Sequence, residues 1–230
     1  MRLAVIVPAL NEDAAIVPAL ARLAALRERG ATVIVVDGGS RDATAEHAKH
    51  LADYVLHSER GRAQQMNAGA RAALDGGAEV LLFLHADCIL PDRSDRLIEA
   101  SLHNGRHAWG RFDVRIEGEA RVLKVVSTLM NWRSRSTGIC TGDQAIFVTR
   151  AAFEKLSGFA AIPLMEDIEF SKRARSISWP AAIAARVHTS GRRWQRHGVW
   201  RTIVLMWSFR LAYFLGADPH RLAQRYRDAR

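Results

Sequence analysis

Thr32-Val33-Ile34-Val35-Val36-Asp37-Gly38-Gly39-Ser40-Arg41-Asp42 is a β-branched run that stops on an acid, two glycines and a serine. The run shows no polar alternation, which is the pattern of a strand covered on both faces. The residues that end it turn the backbone sharply. Working outward, Leu3–Val7, Tyr54–Leu56 and Val80–Leu84 have the same character. Between them lie Ala- and Leu-rich stretches of helical length: Ala14–Arg29 before Gly30, Asp42–Leu51, and Arg62–Leu74 before Gly76-Gly77. Short apolar strands separated by helices predict a doubly wound, mostly parallel α/β sheet. Ligands of such sheets bind at the carboxyl ends of the strands. Each polar cluster of this half sits at such an end: Asn11-Glu12, Asp37–Asp42, and Asp87.

After Pro91 the rhythm changes. Trp109–Glu117 alternates and is expected to be an edge strand, and Arg121–Arg135 a helix. Thr141-Gly142-Asp143-Gln144 precedes an expected strand at Ala145–Thr149, Glu166–Arg175 is helical, and Ala181–Val187 is strand-like. No Pro-, Gly- or Ser-rich linker, internal repeat or low-complexity tract interrupts the chain. One domain with a helical tail is the economical organisation.

The chain has 230 residues, 49% hydrophobic and 25% charged, which is enough to bury a substantial core. Its formal net charge of +9 invites a nucleic-acid or anionic-membrane partner. The distribution narrows that choice. Residues 1–170 hold 20 basic and 22 acidic side chains, whereas residues 171–230 hold 13 basic and 2 acidic. A uniformly basic coat is disfavoured, no nucleic-acid motif is present, and nucleic acid is not the expected partner. Cys88 and Cys140 lack zinc or redox spacing and read as buried free thiols of a reducing cytosol. Leu3–Val7 is too short for a signal peptide, so a cytoplasmic protein is expected. The longest apolar stretch, Val199–Gly216, is interrupted by Arg201 and Arg210.

Several common α/β chemistries lack their marks: there is no P-loop, dinucleotide fingerprint, nucleophile elbow or H-E-x-x-H. What the chain offers instead is carboxylates at strand ends. Asp37 either accepts hydrogen bonds from a nucleobase or ribose, or simply caps its turn with Ser40 and Asp42. Asp87 is a rigidly delivered oxygen ligand suited to a hard divalent ion between two phosphates. His85, two residues earlier, either points to the same side in extended backbone or ends the strand as a core residue. Glu166-Asp167 either supplies a general base or merely complements a helix dipole. Arg192-Arg193-Trp194, with Arg196 and His197, forms a cation cluster suited to diphosphate oxygens, or else a solvated basic face.

Taken together these pieces are more specific. Val5-Ile6-Val7-Pro8-Ala9-Leu10-Asn11-Glu12 and Val35-Val36-Asp37-Gly38-Gly39-Ser40-Arg41-Asp42-Ala43-Thr44 closely resemble the start of glycosyltransferase family 2. His85-Ala86-Asp87 stands where that family has D-x-D, and Glu166-Asp167 where it has its Glu-Asp pair. Arg192-Arg193-Trp194 resembles a shortened Q-x-x-R-W. Gly61–Gly69 matches the glycine-and-asparagine segment before the metal motif. The resemblance runs over residues 1–195. Within the family the chain is similar to the small bacterial radical-SAM/selenodomain-associated transferases linked to arsenosugar biosynthesis.

The resemblance implies a GT-A fold, a nucleotide-diphosphate sugar donor, Mn²⁺ or Mg²⁺, and inversion at the anomeric carbon. It implies that Glu12 and Asp37 hold the nucleoside, with Pro8, Asn11, Ser40, Arg62 and His85 completing the nucleotide contacts. Asp87 would bind the metal, and Asp167 would be the base, with Glu166 as substitute. Asp143, Arg192, Arg193 and Trp194 would serve the diphosphate or the acceptor, a hydroxyl or a lipid-linked group. His85 replaces the first Asp of D-x-D, and an imidazole there tilts the choice towards Mn²⁺. A nucleotidyltransferase would carry a glycine-rich loop where Pro8–Glu12 stands. A non-catalytic nucleotide- or membrane-binding module is the other alternative. Residues 196–230 form a basic, partly apolar tail. On a helix Arg201 and Arg210 fall on opposite faces, leaving no clean polar side. That tail is expected to lie at an anionic membrane (the inner face of the plasma membrane), to pair with another subunit, or to pack on its own domain.

Overall fold

The parity of residues along the first strand sorts the core into two layers. In the computed structural model, which describes residues 1–191 and 198–228, β1 spans Leu3–Ala9 and is buried throughout. Leu3, Val5, Val7 and Ala9 face one layer together with Ile16, Leu20, Leu23, Leu26, Ala48 and Ile98. Ala4 and Ile6 face the other, with Ala63, Met66, Ala70, Phe153, Phe159 and Phe170. A strand with both faces covered has no polar side, which explains the unbroken apolar runs.

Eight strands form one sheet in the order β3-β2-β1-β4-β7-β6-β8-β5. They are β1, β2 (Thr32–Asp37), β3 (Tyr54–His57), β4 (Val80–Phe83), β5 (Cys88–Ile89), β6 (Trp109–Glu117), β7 (Phe147–Thr149) and β8 (Ala181–Ser190). The β3-β2-β1-β4 half is parallel throughout. β7 then runs antiparallel to β4 and β6, β8 parallel to β6, and β5 antiparallel to β8. The doubly wound α/β expectation holds. Strand β6 is not at an edge, since it pairs with β7 on one side and β8 on the other. Its alternation reflects packing under one helix.

The helices are α1 (Asp13–Ala21), α2 (Ala24–Glu28), α3 (Thr44–Ala48), α4 (Arg62–Asp75), α5 (Ser94–Leu102) and α6 (Val122–Thr137). They continue with α7 (Arg150–Lys155), α8 (Glu166–Ala174), α9 (Val199–Phe214) and α10 (Pro219–Asp228). The single helix expected over 14–29 is two. Leu20, Leu23 and Leu26 are all buried at three-residue spacing, which an α-helix cannot keep on one line. The chain tightens there, with Leu23 N–H donating to Leu20 O and Leu26 N–H to Leu23 O. Helix α3 is shorter than the expected 42–51, because the Asp42 carboxylate turns back to accept from Thr44 N–H and hydroxyl.

Pro8 sits inside β1 at no cost to the ladder. The pairing of β1 with β4 ends at Ile6↔Phe83, and Pro8 lies beyond it on that edge. Helix α4 lies close against β1 and β2 at Gly69. A Cβ there would come 2.5 Å from Ile6 Cγ2 and 2.9 Å from Val36 Cγ2, both in the core. Gly69→Ala is therefore expected to lose about 1–3 kcal/mol in urea unfolding despite the better helix propensity of alanine. Unchanged or increased stability would show that the helix can lift off the sheet.

Candidate active site

The polar ends of β1 and β2 are tied together before any ligand arrives. Ser40 Oγ accepts from Asn11 N–H at 2.9 Å, and Asn11 Oδ1 accepts from Arg41 N–H at 2.9 Å. The Glu12 N–H donates to Thr44 Oγ1 at 2.8 Å. Asp37, 2% exposed, accepts from Gly39 N–H, Ser40 N–H and the Ser40 hydroxyl, with His57 Nδ1 3.5 Å away. The carboxylate thus caps its own turn. Below it, both N–H bonds of the Gln65 amide are used, to Ala9 O and Val36 O at 2.8 Å each. Pro8, Asn11, Glu12, Asp37 and Ser40 form one group at these strand ends.

The other expected residues meet in a cleft further along the sheet. It is lined by Arg62, His85, Asp87, Gly142, Asp143, Met165, Glu166, Asp167, Thr202, Met206, Phe209, Arg210 and Tyr226, among others. His85 and Asp87 reach it from a turn, not from extended backbone as expected. β4 ends at Phe83, and Cys88 N–H closes the turn on His85 O. The His85 ring packs on the Gly142 backbone, where a Cβ would sit 2.3 Å from Nε2, and its Nδ1 lies 3.2 Å from Asp143 Oδ1. The Thr141–Gln144 turn is itself pinned: Gln144 is fully buried and its amide donates to Ser134 Oγ of α6.

Asp167 and Glu166 begin α8 with different environments. Asp167 accepts from Gly142 N–H at 2.8 Å and Ile168 N–H at 2.7 Å, which holds the 141–144 turn against the helix. Glu166 is 6% exposed, and burial, then the neighbouring Asp167, push its pKa above the ordinary carboxylate value. Arg62 lies in the field of Glu166 and Asp143. Desolvation opposes its charge, but these carboxylates raise its pKa overall. Asn67, in the Gly61–Gly69 segment, does not face the cleft. It clamps the loop before α8, donating to Phe159 O and accepting from Phe159 N–H.

Among the described residues, ligand atoms of His85, Cys88 and Asp143 lie within 4.8 Å of one another. Burial pushes the Cys88 thiol well above its ordinary pKa, which keeps it protonated and a poor ligand. Arg192, Arg193 and Trp194 lie outside the described residues. Sequence reasoning missed Arg210, which it treated as an obstacle to an apolar tail. Helix α9 turns Thr202, Met206, Phe209 and Arg210 into the cleft, and Phe209 packs with Met165 and with Leu222 of α10. The opposite side of α9 exposes Trp200, Val204, Trp207, Leu211 and Phe214, four and three residues apart. Thr202 and Arg210 face the protein while Arg201 and Ser208 are exposed beside the apolar residues, so the helix has an apolar outer stripe but no clean polar side. None of the described helices is long and apolar enough to cross a membrane.

A parallel half-sheet with a strand-end cleft, joined to a mixed half that brings a second carboxylate pair, defines a GT-A fold. Residues 4–155 match the family described as Glycosyl transferase family 2, and the chain belongs to that family. No curated protein matches it. Among solved structures it is similar to the Pyrobaculum calidifontis mannosyltransferase PcManGT in complex with GDP-Man and Mn²⁺, with TM-score 0.65 and 21% identity over 96% of this chain and 67% of that one. It is also similar to S. aureus TarS residues 1–349 with UDP-GlcNAc, with TM-score 0.65 and 18% identity over 83% of this chain and 58% of that one. A third is the glucosyl-3-phosphoglycerate synthase of Mycobacterium tuberculosis with phosphoglyceric acid, with TM-score 0.60 and 18% identity over 82% and 70%. The chain spans about 60% of the length of the TarS 1–349 structures.

The raised pKa of Glu166 has a pH consequence. The folded state holds this proton more tightly than the unfolded chain does. Stability is therefore expected to fall as pH rises from the ordinary carboxylate pKa up to the raised one, and to stay lower above it. In urea titrations across this range, Glu166→Gln should flatten that fall and be more stable than wild type at neutral pH. A fall that persists unchanged in the variant would assign it to another group.

Proposed function

We propose that the chain transfers a sugar from a nucleoside-diphosphate sugar to a hydroxyl or lipid-linked acceptor, with inversion at the anomeric carbon. The observation that carries this reading is the convergence of the β4 turn, the 141–144 turn and the start of α8 on one cleft. The pre-formed loops after β1 and β2 supply the nucleoside end: Asn11, Glu12, Asp37 and Ser40 there, and Arg62 on the diphosphate side. Arg192, Arg193 and Trp194, from the motif resemblance, would complete the diphosphate contacts. The short chain and its motifs support placing it with the radical-SAM/selenodomain-associated transferases.

His85 and Asp143, whose ligand atoms lie within 4.8 Å of each other, and Asp87 of the same cleft would hold a divalent cation. They offer one imidazole nitrogen and two carboxylates, a donor set suited to Mn²⁺ and, less well, Mg²⁺. Such a cation would offset the charge that develops on the leaving diphosphate. The protein's own groups do the rest. Arg62 faces the same charge, and α9 supplies one wall of the cleft. Two backbone N–H bonds hold Asp167 in place, so it suits positioning of the acceptor. Glu166, whose pKa burial raises, is the better matched of the pair to taking the acceptor proton.

The decisive assay is release of nucleoside diphosphate from a panel of nucleotide sugars with Mn²⁺ or Mg²⁺. One donor should be turned over, and Asp87→Ala should lose about 100-fold or more. Turnover that survives Asp87→Ala would remove this residue from the metal site. No binding of any nucleotide would overturn the assignment altogether.

The outward face of α9 supports peripheral attachment to an anionic membrane. Trp200 is 72% and Phe214 86% exposed, and Arg201, Arg221 and Arg225 are exposed on the same two tail helices. Because the same helix walls the cleft, attachment would bring the cleft to the lipid surface, where a lipid-linked acceptor resides. Flotation with anionic liposomes should recover the wild type, and recovery should drop in high salt and in Trp207→Ser/Phe214→Ser. Flotation that does not differ between anionic and neutral vesicles, or a stable dimer through this face in solution, would refute the attachment.

A further inference from the structure

Arg133 and Arg210 lie within electrostatic reach of each other and of Asp167. Arg210 of α9 lines the cleft. Arg133 comes from the last turns of α6, and its Nε and Nη2 are shielded from solvent with no hydrogen-bond partner among the described residues. Burial, then repulsion from Arg210, pull the Arg133 guanidinium down to about 10, against the opposing pull of Asp167 and Cys140. Arg210 is likewise lowered by desolvation, with Asp167 and Asp143 opposing. Two partly desolvated cations that repel each other, one with idle donors, are a poor arrangement for folding alone. They are a good one for a planar or tetrahedral oxyanion, which a guanidinium meets with two parallel N–H bonds.

The topology says which substrate would carry it. Helix α6 packs on β6, in the mixed half of the sheet, whereas the nucleoside end lies at β1 and β2. Resting on the glycosyl-transfer reading of the same cleft, we propose that Arg133 and Arg210 form an oxyanion subsite for the acceptor. The acceptor is then an acidic molecule bearing a phosphate or carboxylate group, held next to Asp167. A neutral sugar or alcohol would leave the shielded Arg133 donors without an anionic partner.

The test uses the full chain saturated with the nucleoside diphosphate it binds and titrated with inorganic phosphate, acetate, a sugar phosphate and a short alkyl phosphate. Wild type should bind at least one of these anions. The last two separate a soluble phosphate ester from a lipid headgroup. Arg133→Met and Arg210→Met should each weaken that binding by about tenfold or more, with nucleoside diphosphate affinity within twofold of wild type. Arg133→Lys, which keeps the charge, should retain part of the affinity. Removing the repulsion should also raise the melting temperature of Arg133→Met, by about 2–4 °C. Wild-type anion affinity in both Met variants, an equal loss of nucleoside diphosphate affinity, or a lowered melting temperature of Arg133→Met would overturn the subsite. A wild type that binds phosphate but no nucleotide would instead overturn the glycosyl-transfer reading.

Discussion

The Gln65 amide joins the carboxyl ends of β1 and β2, and the arrangement of the two loops that follow depends on it. The Ala9 carbonyl already accepts from Gly38 N–H, which continues the backbone pairing past the end of β1. The Gln65 side chain adds a second bond there and one to Val36 O, so that a single buried side chain spans both strand ends. This amide, 3% exposed, would itself cost about 1–3 kcal/mol if left without acceptors. It also dictates its neighbour. A Cβ on residue 38 would come within 2.9 Å of the Gln65 amide carbon, which leaves glycine as the residue that fits. With the strand ends locked, the Asn11–Ser40 and Asn11–Arg41 hydrogen bonds hold the two loops in one arrangement.

The cleft beyond β4 is organised by charge instead of by backbone pairing. Asp87, Asp143, Glu166 and Asp167 crowd into it, and Arg62 and Arg210 answer them from α4 and α9. The environments differentiate groups that look alike in sequence. Asp167 is anchored by two N–H donors, whereas its neighbour Glu166 is desolvated and titrates higher. Asn67, Gln144 and Arg173 stand behind these groups. Arg173 spans Gly158 O and the Glu169 carboxylate, and so steadies the loop that delivers Met165 and Glu166.

The parallel half was legible because its signals are local. The run Thr32–Val36 and its Asp-Gly-Gly-Ser ending needed no distant partner to be read, and strands β1, β2 and β4 lie where the apolar runs are. Errors came where local periodicity met tertiary demand. Leu20, Leu23 and Leu26 overwind the helix to reach the sheet, and His85–Asp87 bends into a turn because β5 must start at Cys88. Trp109–Glu117 alternates like an edge strand yet lies inside the sheet. The carboxylates of the candidate site could be found from their positions after strands and before α8. Arg210 and Arg133 could not, since nothing in a helical stretch announces that its arginine points inward. The apolar face of α9 was hidden for the same reason: the inward Arg210 made the helix look unpatterned.

The α9–α10 wall of the cleft and the loops after β1 and β2 come from separate stretches of chain. Arg210, Phe209 and Tyr226 reach the cleft from helices that follow the last strand and join the body through a small cluster around Met165. Substitutions in α9 and α10 can reshape that wall without disturbing the packing of β1, β2 and α4 or the hydrogen bonds of their loops. The shape of that wall and the geometry of the strand-end loops are therefore two separable properties of one chain.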